Sequence, residues 1–170
     1  MGQLGETQLR EHMKTQIRPL VAAFSLAVLL APGAAFAAAD TNSSGTPVDP
    51  VLERAADASS RNDWAGAQSV LQAGLAKSPN NAEYHNMYAY NLRKGPNPDM
   101  SLVFKHYNEA LRIDPKHRGA NEYLGEAYLM VNNLPKAKEQ LGVLDKLCVL
   151  SCKEYSDLKR SIAAHEAKGK

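Results

Sequence analysis

The stretch Asn121-Glu122-Tyr123-Leu124-Gly125-Glu126-Ala127-Tyr128-Leu129-Met130-Val131-Asn132-Asn133-Leu134-Pro135-Lys136-Ala137-Lys138-Glu139-Gln140-Leu141 decides how this chain folds. Leu124, Ala127 and Tyr128 recur at helical spacing, and so do Ala137, Leu141 and Leu144. Asn132-Asn133 before Pro135 separates the two stripes with a turn. The pattern predicts two amphipathic helices packed back to back. The same signal extends in both directions. Trp64, Ala67, Leu71, Gly74 and Leu75 fall on one helical face, and Met100, Val103, Phe104, Tyr107, Ala110 and Leu111 on another. Ser78-Pro79-Asn80-Asn81, Gly95-Pro96-Asn97-Pro98 and Asp114-Pro115 mark the turns between them. Nothing shows sustained strand alternation. The expectation is an all-α chain of about seven helices. Asn80 with Glu83 has capping-box spacing, and Pro98 suits the first turn of a helix.

The stripes repeat. Pro79 and Pro115 lie 36 residues apart, and Tyr88, Ala89 and Leu92 align with Leu124, Gly125 and Tyr128 at the same interval. Small residues such as Ala67, Ala89, Ala110 and Gly125 allow close helix approach, and Trp64, Tyr107 and Leu141 fill the gaps around them. These positions resemble the tetratricopeptide repeat (TPR) family, whose unit is a helix–turn–helix of about 34 residues. The resemblance covers 51–147. Leu124, Gly125, Tyr128, Ala137 and Leu141 carry it best, the unit before it has a two-residue insertion at Gly95–Pro98, and the first unit has a weak first helix over Leu52–Ser60. It implies a right-handed solenoid of about three units, with residues 148–170 as a Cys-x3-Cys turn, a capping helix and a basic tail. The chain also looks like small exported TPR proteins of Gram-negative bacteria.

The resemblance further implies a binding module for a protein or peptide partner, with the first helix of each unit lining a concave groove. Position by position, the groove would present Asn86, Tyr90 and Arg93, then Glu122, Glu126 and Leu129. Asn86 and Arg93 represent the family's carboxylate clamp only thinly. Such a lining suits an extended peptide or a helix.

Composition narrows the function classes. The 170 residues carry a net charge of +2, with 44% hydrophobic and 22% charged residues. That is a globular balance, and it excludes a non-specific nucleic-acid binder, which needs a basic surface. Residues 1–37 read as a secretory signal peptide. Met13-Lys14-Thr15-Gln16-Ile17-Arg18 is its basic start, Leu20–Leu30 its apolar run, and Ala35-Phe36-Ala37 its cleavage site. Residues 1–12 carry Glu6 and Glu11, which places the expected start at Met13. Cleavage after Ala37 removes Arg10, Lys14 and Arg18 with those two glutamates, which leaves a net charge of +1, and it removes the apolar run, which leaves no stable membrane anchor. The expected location is periplasmic or secreted. Residues 38–50, rich in small and turn-forming residues, read as a flexible linker.

Cys148 and Cys152 are the only cysteines, too few for a four-thiolate zinc site. Ser151 and Glu154 have capping-box spacing, so Cys148 should end one helix and Cys152 begin the next. Three roles stand open: a disulfide staple, thiol exchange at Cys152 on a helix N-terminus, or a soft-metal site for Cu(I). Tyr155, Leu158 and Ile162 form the last apolar stripe. No nucleophile elbow, zinc-helix motif or phosphate loop is present, so neither catalysis nor a cofactor is expected. Trp64 and His85 read as packing residues, while His106, His117 and the Glu122/Glu126 pair read as solvated.

Overall fold

Helices in this chain begin where a short polar side chain can cap them. The computed structural model describes residues 48–169, and among these are seven α-helices and no strand. They are α1 (Pro50–Ser60), α2 (Trp64–Lys77), α3 (Ala82–Lys94), α4 (Met100–Ile113), α5 (Arg118–Met130), α6 (Leu134–Leu147) and α7 (Lys153–Lys168). Asp49, Asp63, Asn81, Asp99, His117 and Asn133 each accept a backbone N–H of the first turn, meeting donors that a helix start leaves orphaned. The signal peptide, the Met13 start and most of the linker lie outside the described residues.

Several local expectations are corrected. Asn81, not Asn80, caps α3, through a 3.1 Å bond from Tyr84 N–H. Glu83 is then too early in the helix to reach back, and it turns to Asn86 and His117 instead. Asp99 caps α4, which leaves Pro98 outside the first turn. The α7 helix begins at Lys153 with no side-chain cap. Ser151 faces Ser156 rather than the helix N-terminus, and Glu154 faces Arg118. Pro50 already belongs to α1, capped by Asp49.

The repeat is written in the backbone. Between α1 and α2, Asn62 N–H donates to Ser59 C=O and Asp63 N–H to Ala58 C=O. Between α5 and α6, Asn132 donates to Leu129 and Asn133 to Tyr128 in the same way. Asn62 and Asn132 both take positive φ, 60° and 62°, a conformation that asparagine tolerates better than most residues. Asn97, in the corresponding turn of the middle unit, has φ 51°.

Side chains repeat likewise. Ala67, Val103 and Ala137 are fully buried at equivalent places in α2, α4 and α6, and Ala55 and Ala89 in α1 and α3. Tyr107 fills the middle of the array, with Phe104 stacked on Tyr128 beside it. Leu158 and Ile162 of α7 close the end against Ala137 and Leu144. Gly125 makes that closure possible: a β-carbon there would sit 2.5 Å from Leu158 Cδ2.

Consecutive helices pack in antiparallel pairs. In addition α1 touches α3, α3 touches α5 and α5 touches α7, whereas α2, α4 and α6 do not touch one another. Close approach on one side and separation on the other curves the array. The odd-numbered helices therefore line its inner face. Matching polar bonds span one repeat at a time: Tyr84 to Asp49 at 2.8 Å, Ser59 to Asn91 at 2.6 Å, His117 to Glu83 at 2.8 Å and Arg93 to Glu126 at 2.7 Å.

Candidate functional site

The inner face is built around Arg93. Its placement in the last turn of α3 suits the negative end of that helix. From there the guanidinium Nη2–H donates to Glu126 Oε2 at 2.7 Å and the Nε–H to the Tyr107 hydroxyl at 3.3 Å. The same group lies 5.7 Å from the Tyr90 ring centre and 5.6 Å from that of Tyr123. Glu126 uses its other oxygen to accept from Ser161 Oγ at 3.2 Å, so one polar chain runs from α3 through α5 to α7. Burial opposes the Arg93 charge, but Tyr107 and Glu126 hold its pKa above the ordinary value. Burial likewise pushes Tyr123 up to about 12 and Tyr107 higher still, so both stay neutral hydroxyls.

Aromatic rings flank this chain. Tyr90 and Tyr123 have centres 5.0 Å apart, and Trp64 meets Tyr90 edge-on at 6.5 Å. All three are half-buried. They form a strip across the starts and middles of α2, α3 and α5 that water can still reach.

The six residues expected to line the groove divide into two sets. Tyr90, Glu126 and Leu129 remain partly accessible. Asn86, Arg93 and Glu122 are only 2%, 9% and 6% exposed. Arg93 and Glu126 are held by each other, so they position the face rather than wait for a partner. The Glu122/Glu126 pair is not the solvated pair expected, because α7 packs over α5. Burial first, then the carboxylates of Glu126 and Asp157, raise Glu122 to about 7.

Two histidines also differ from expectation. His117 caps α5: its Nδ1 accepts from Ala120 N–H and its Nε2–H donates to Glu83. His106 is half-buried beside Tyr88 and bonded to His85 through their Nδ1 atoms at 2.8 Å. His85 Nε2–H donates to the Pro79 carbonyl, so its Nδ1 accepts and His106 Nδ1–H donates. Burial and His85 together lower His106 to about 4. This pair borders a cavity of about 470 Å3 that Leu75, Tyr88 and Leu102 also line.

Sequence reasoning missed Tyr123, Ser161 and the Tyr107 hydroxyl. A usable signal was present, since Arg93 and Glu126 carry opposite charges about one repeat apart. At the end of the array, the Cys148 and Cys152 sulfurs lie at disulfide distance with Cα atoms 5.7 Å apart. The turn they bracket exposes Val149 and Leu150 by 97% and 86%. Among the described residues no group of three or more His, Cys, Asp or Glu is placed to hold a metal ion, and no helix is long and apolar enough to cross a membrane.

Solved structures share this architecture. The TPR2B domain of yeast Sti1, determined in a complex with pHsp70, matches with a TM-score of 0.62 at 16% identity, covering 69% of this chain and 94% of that domain. SycD, the type III secretion translocator chaperone of Yersinia enterocolitica, matches at 0.60 and 16% identity, over 70% of this chain and 83% of SycD. PcrH, in complex with the chaperone binding region of PopD, gives 0.58 and 14%, over 71% and 91%. The chain is thus an all-helical repeat protein with a TPR-like fold. No family model and no curated protein sequence matches it.

Proposed function

We propose that this chain is an exported protein–protein interaction module. Its inner face holds a peptide or helix of an envelope protein, and it acts as an adaptor or scaffold rather than an enzyme. The observation that carries this reading is the half-buried strip of Trp64, Tyr90 and Tyr123, fixed in place by Arg93. Rigid aromatic area held in place by the Arg93–Glu126 pair lowers the entropy cost of ordering an interface. The similar structures support the reading, since PcrH was solved with a segment of PopD and TPR2B with pHsp70.

The three-part layout of residues 1–37 supports export to the periplasm or beyond. So does the Cys148/Cys152 pair, whose geometry suits a disulfide formed in an oxidising compartment. The thiol-exchange or copper reading keeps one observation in its favour, the N-cap position of Cys152 on α7.

The test is capture of envelope proteins on the immobilised chain, with Tyr90→Ala and Tyr123→Ala as paired variants whose folding is checked by thermal melting. A captured protein that both variants release supports the inner face as the interface. Capture that neither variant weakens moves the interface elsewhere.

A further inference from the structure

Four carboxylates gather where α5 meets α7, and three of them have a cation of this chain in contact. Glu126 holds Arg93, Asp157 is clasped by Lys153 and Arg160, and Glu154 lies 4.0 Å from Arg118. Glu122 has none. It is 6% exposed and takes part in no hydrogen bond or ion pair among the described residues. Lys153 acts on it only through space while engaged with Asp157.

A buried carboxylate without a donor is costly, and its environment normally supplies one. The Glu122 carboxylate is not sealed in. Among the described residues, Asn86 Oδ1 and Gln140 Oε1 are the fully buried side-chain oxygens without a partner, so the Glu122 oxygens keep some access to the surface. Asn86 stands 36 positions before Glu122, at the equivalent place in the preceding repeat. The same position of two successive units therefore lacks a donor, sealed inside at Asn86 Oδ1 and open to the surface at Glu122.

We infer that Glu122 is the anchoring subsite of the groove for a cationic side chain, a lysine or arginine, of the bound protein segment. This rests on the inner face being the binding surface. The arriving ammonium or guanidinium group supplies the donor that Glu122 lacks. Tyr90 and Tyr123, further along the same face, pack against the apolar residues of the segment. Glu126 and Tyr123 on α5, with Lys153, Glu154 and Asp157 on α7, set the local field. Burial and the neighbouring carboxylates bring Glu122 close to neutrality, so the bound cation also draws a proton off it.

The experiment selects a displayed library of random linear segments of about twelve residues on the chain produced from its full-length coding sequence. A minimum of roughly ten residues lets a segment cross successive inner helices, whose axes lie about 8–10 Å apart. The selection is repeated on Glu122→Gln, which keeps the shape of the protonated side chain. The expected result is enrichment of Lys or Arg at one fixed position, absent from the Glu122→Gln selection. Replacing that residue by norleucine in a selected peptide should weaken binding at least roughly tenfold to the natural chain and hardly at all to Glu122→Gln. The norleucine arm changes only the peptide, so a folding defect cannot imitate it. Segments enriched without a basic position, or with one that survives Glu122→Gln, overturn this inference and leave the groove standing. Enrichment of no segment overturns both.

Discussion

Arg93 and Glu126 meet at 2.7 Å across the junction of the second and third repeats, the arginine buried and the carboxylate only partly accessible. Removing one partner strands the other's charge, which costs far more than the pair contributes as a whole. Arg93→Met or Glu126→Met alone should therefore destabilise the fold by about 3 kcal/mol, while the two together should cost clearly less than the sum. Urea unfolding of the two single variants and the double variant measures this coupling. Simple additivity of the single effects would show that the pair is not coupled.

Gly125 predicts a steric result. An alanine there must push Leu158 away, loosening α7 from α5. Gly125→Ala should destabilise by about 1–3 kcal/mol, despite alanine's better helix propensity. Leu158→Ala should make the same substitution nearly harmless. A Gly125→Ala chain that melts higher than the natural one would mean that α7 sits further off.

The contribution of Glu122 to stability should fall as pH rises from about 4.5 to 7, because Glu122 stays protonated in the folded chain while the unfolded chain ionises near 4.5. At this group the folded state binds more protons across that window, and its advantage is gone once Glu122 must carry charge. His106, held low in the folded chain, acts in the opposite sense over much of that window, so the test compares the natural chain with a Glu122 variant. Glu122→Gln removes this contribution and leaves that of His106 in place. The variant should match the natural chain near pH 4 and exceed it at pH 8 by up to about 3 kcal/mol. Denaturant melts at the two pH values give the comparison. Equal differences at both would deny that Glu122 is buried.

The two cysteines give a fourth test. Closing a five-residue loop contributes about 2 kcal/mol in a chain-entropy account. Cys148→Ser with Cys152→Ser should lose about that much stability under oxidising conditions and leave partner capture intact. Tight Cu(I) binding by the reduced chain, abolished in the same variant, would instead favour the copper reading.

The helices, the 36-residue echo and the small positions Ala89 and Gly125 were legible, because apolar periodicity reports directly which face a helix buries. Polar burial was not. Glu122 sits at a position that local pattern marks as wet, and it becomes covered where α7 packs close over α5 beside Gly125. His117 reads as a surface residue until its ring is seen capping α5 and reaching Glu83 from the previous repeat. Asn80 and Asn81 are chemically equal caps, and only the backbone path into Tyr84 chooses between them. Arg93 and Glu126 were both expected to line the groove, but their mutual bond depends on how adjacent repeats stack and is not legible in the local pattern.

The central claim is that a protein segment occupies the inner face, and site-specific photocrosslinking in living cells tests it most directly. A photoreactive residue at Tyr90 on α3 reports the inner side, and one at the exposed Lys105 on α4 the outer side. The account predicts adducts with an exported protein at Tyr90 and none at Lys105. Adducts at Lys105 alone, or none at either position, would contradict it.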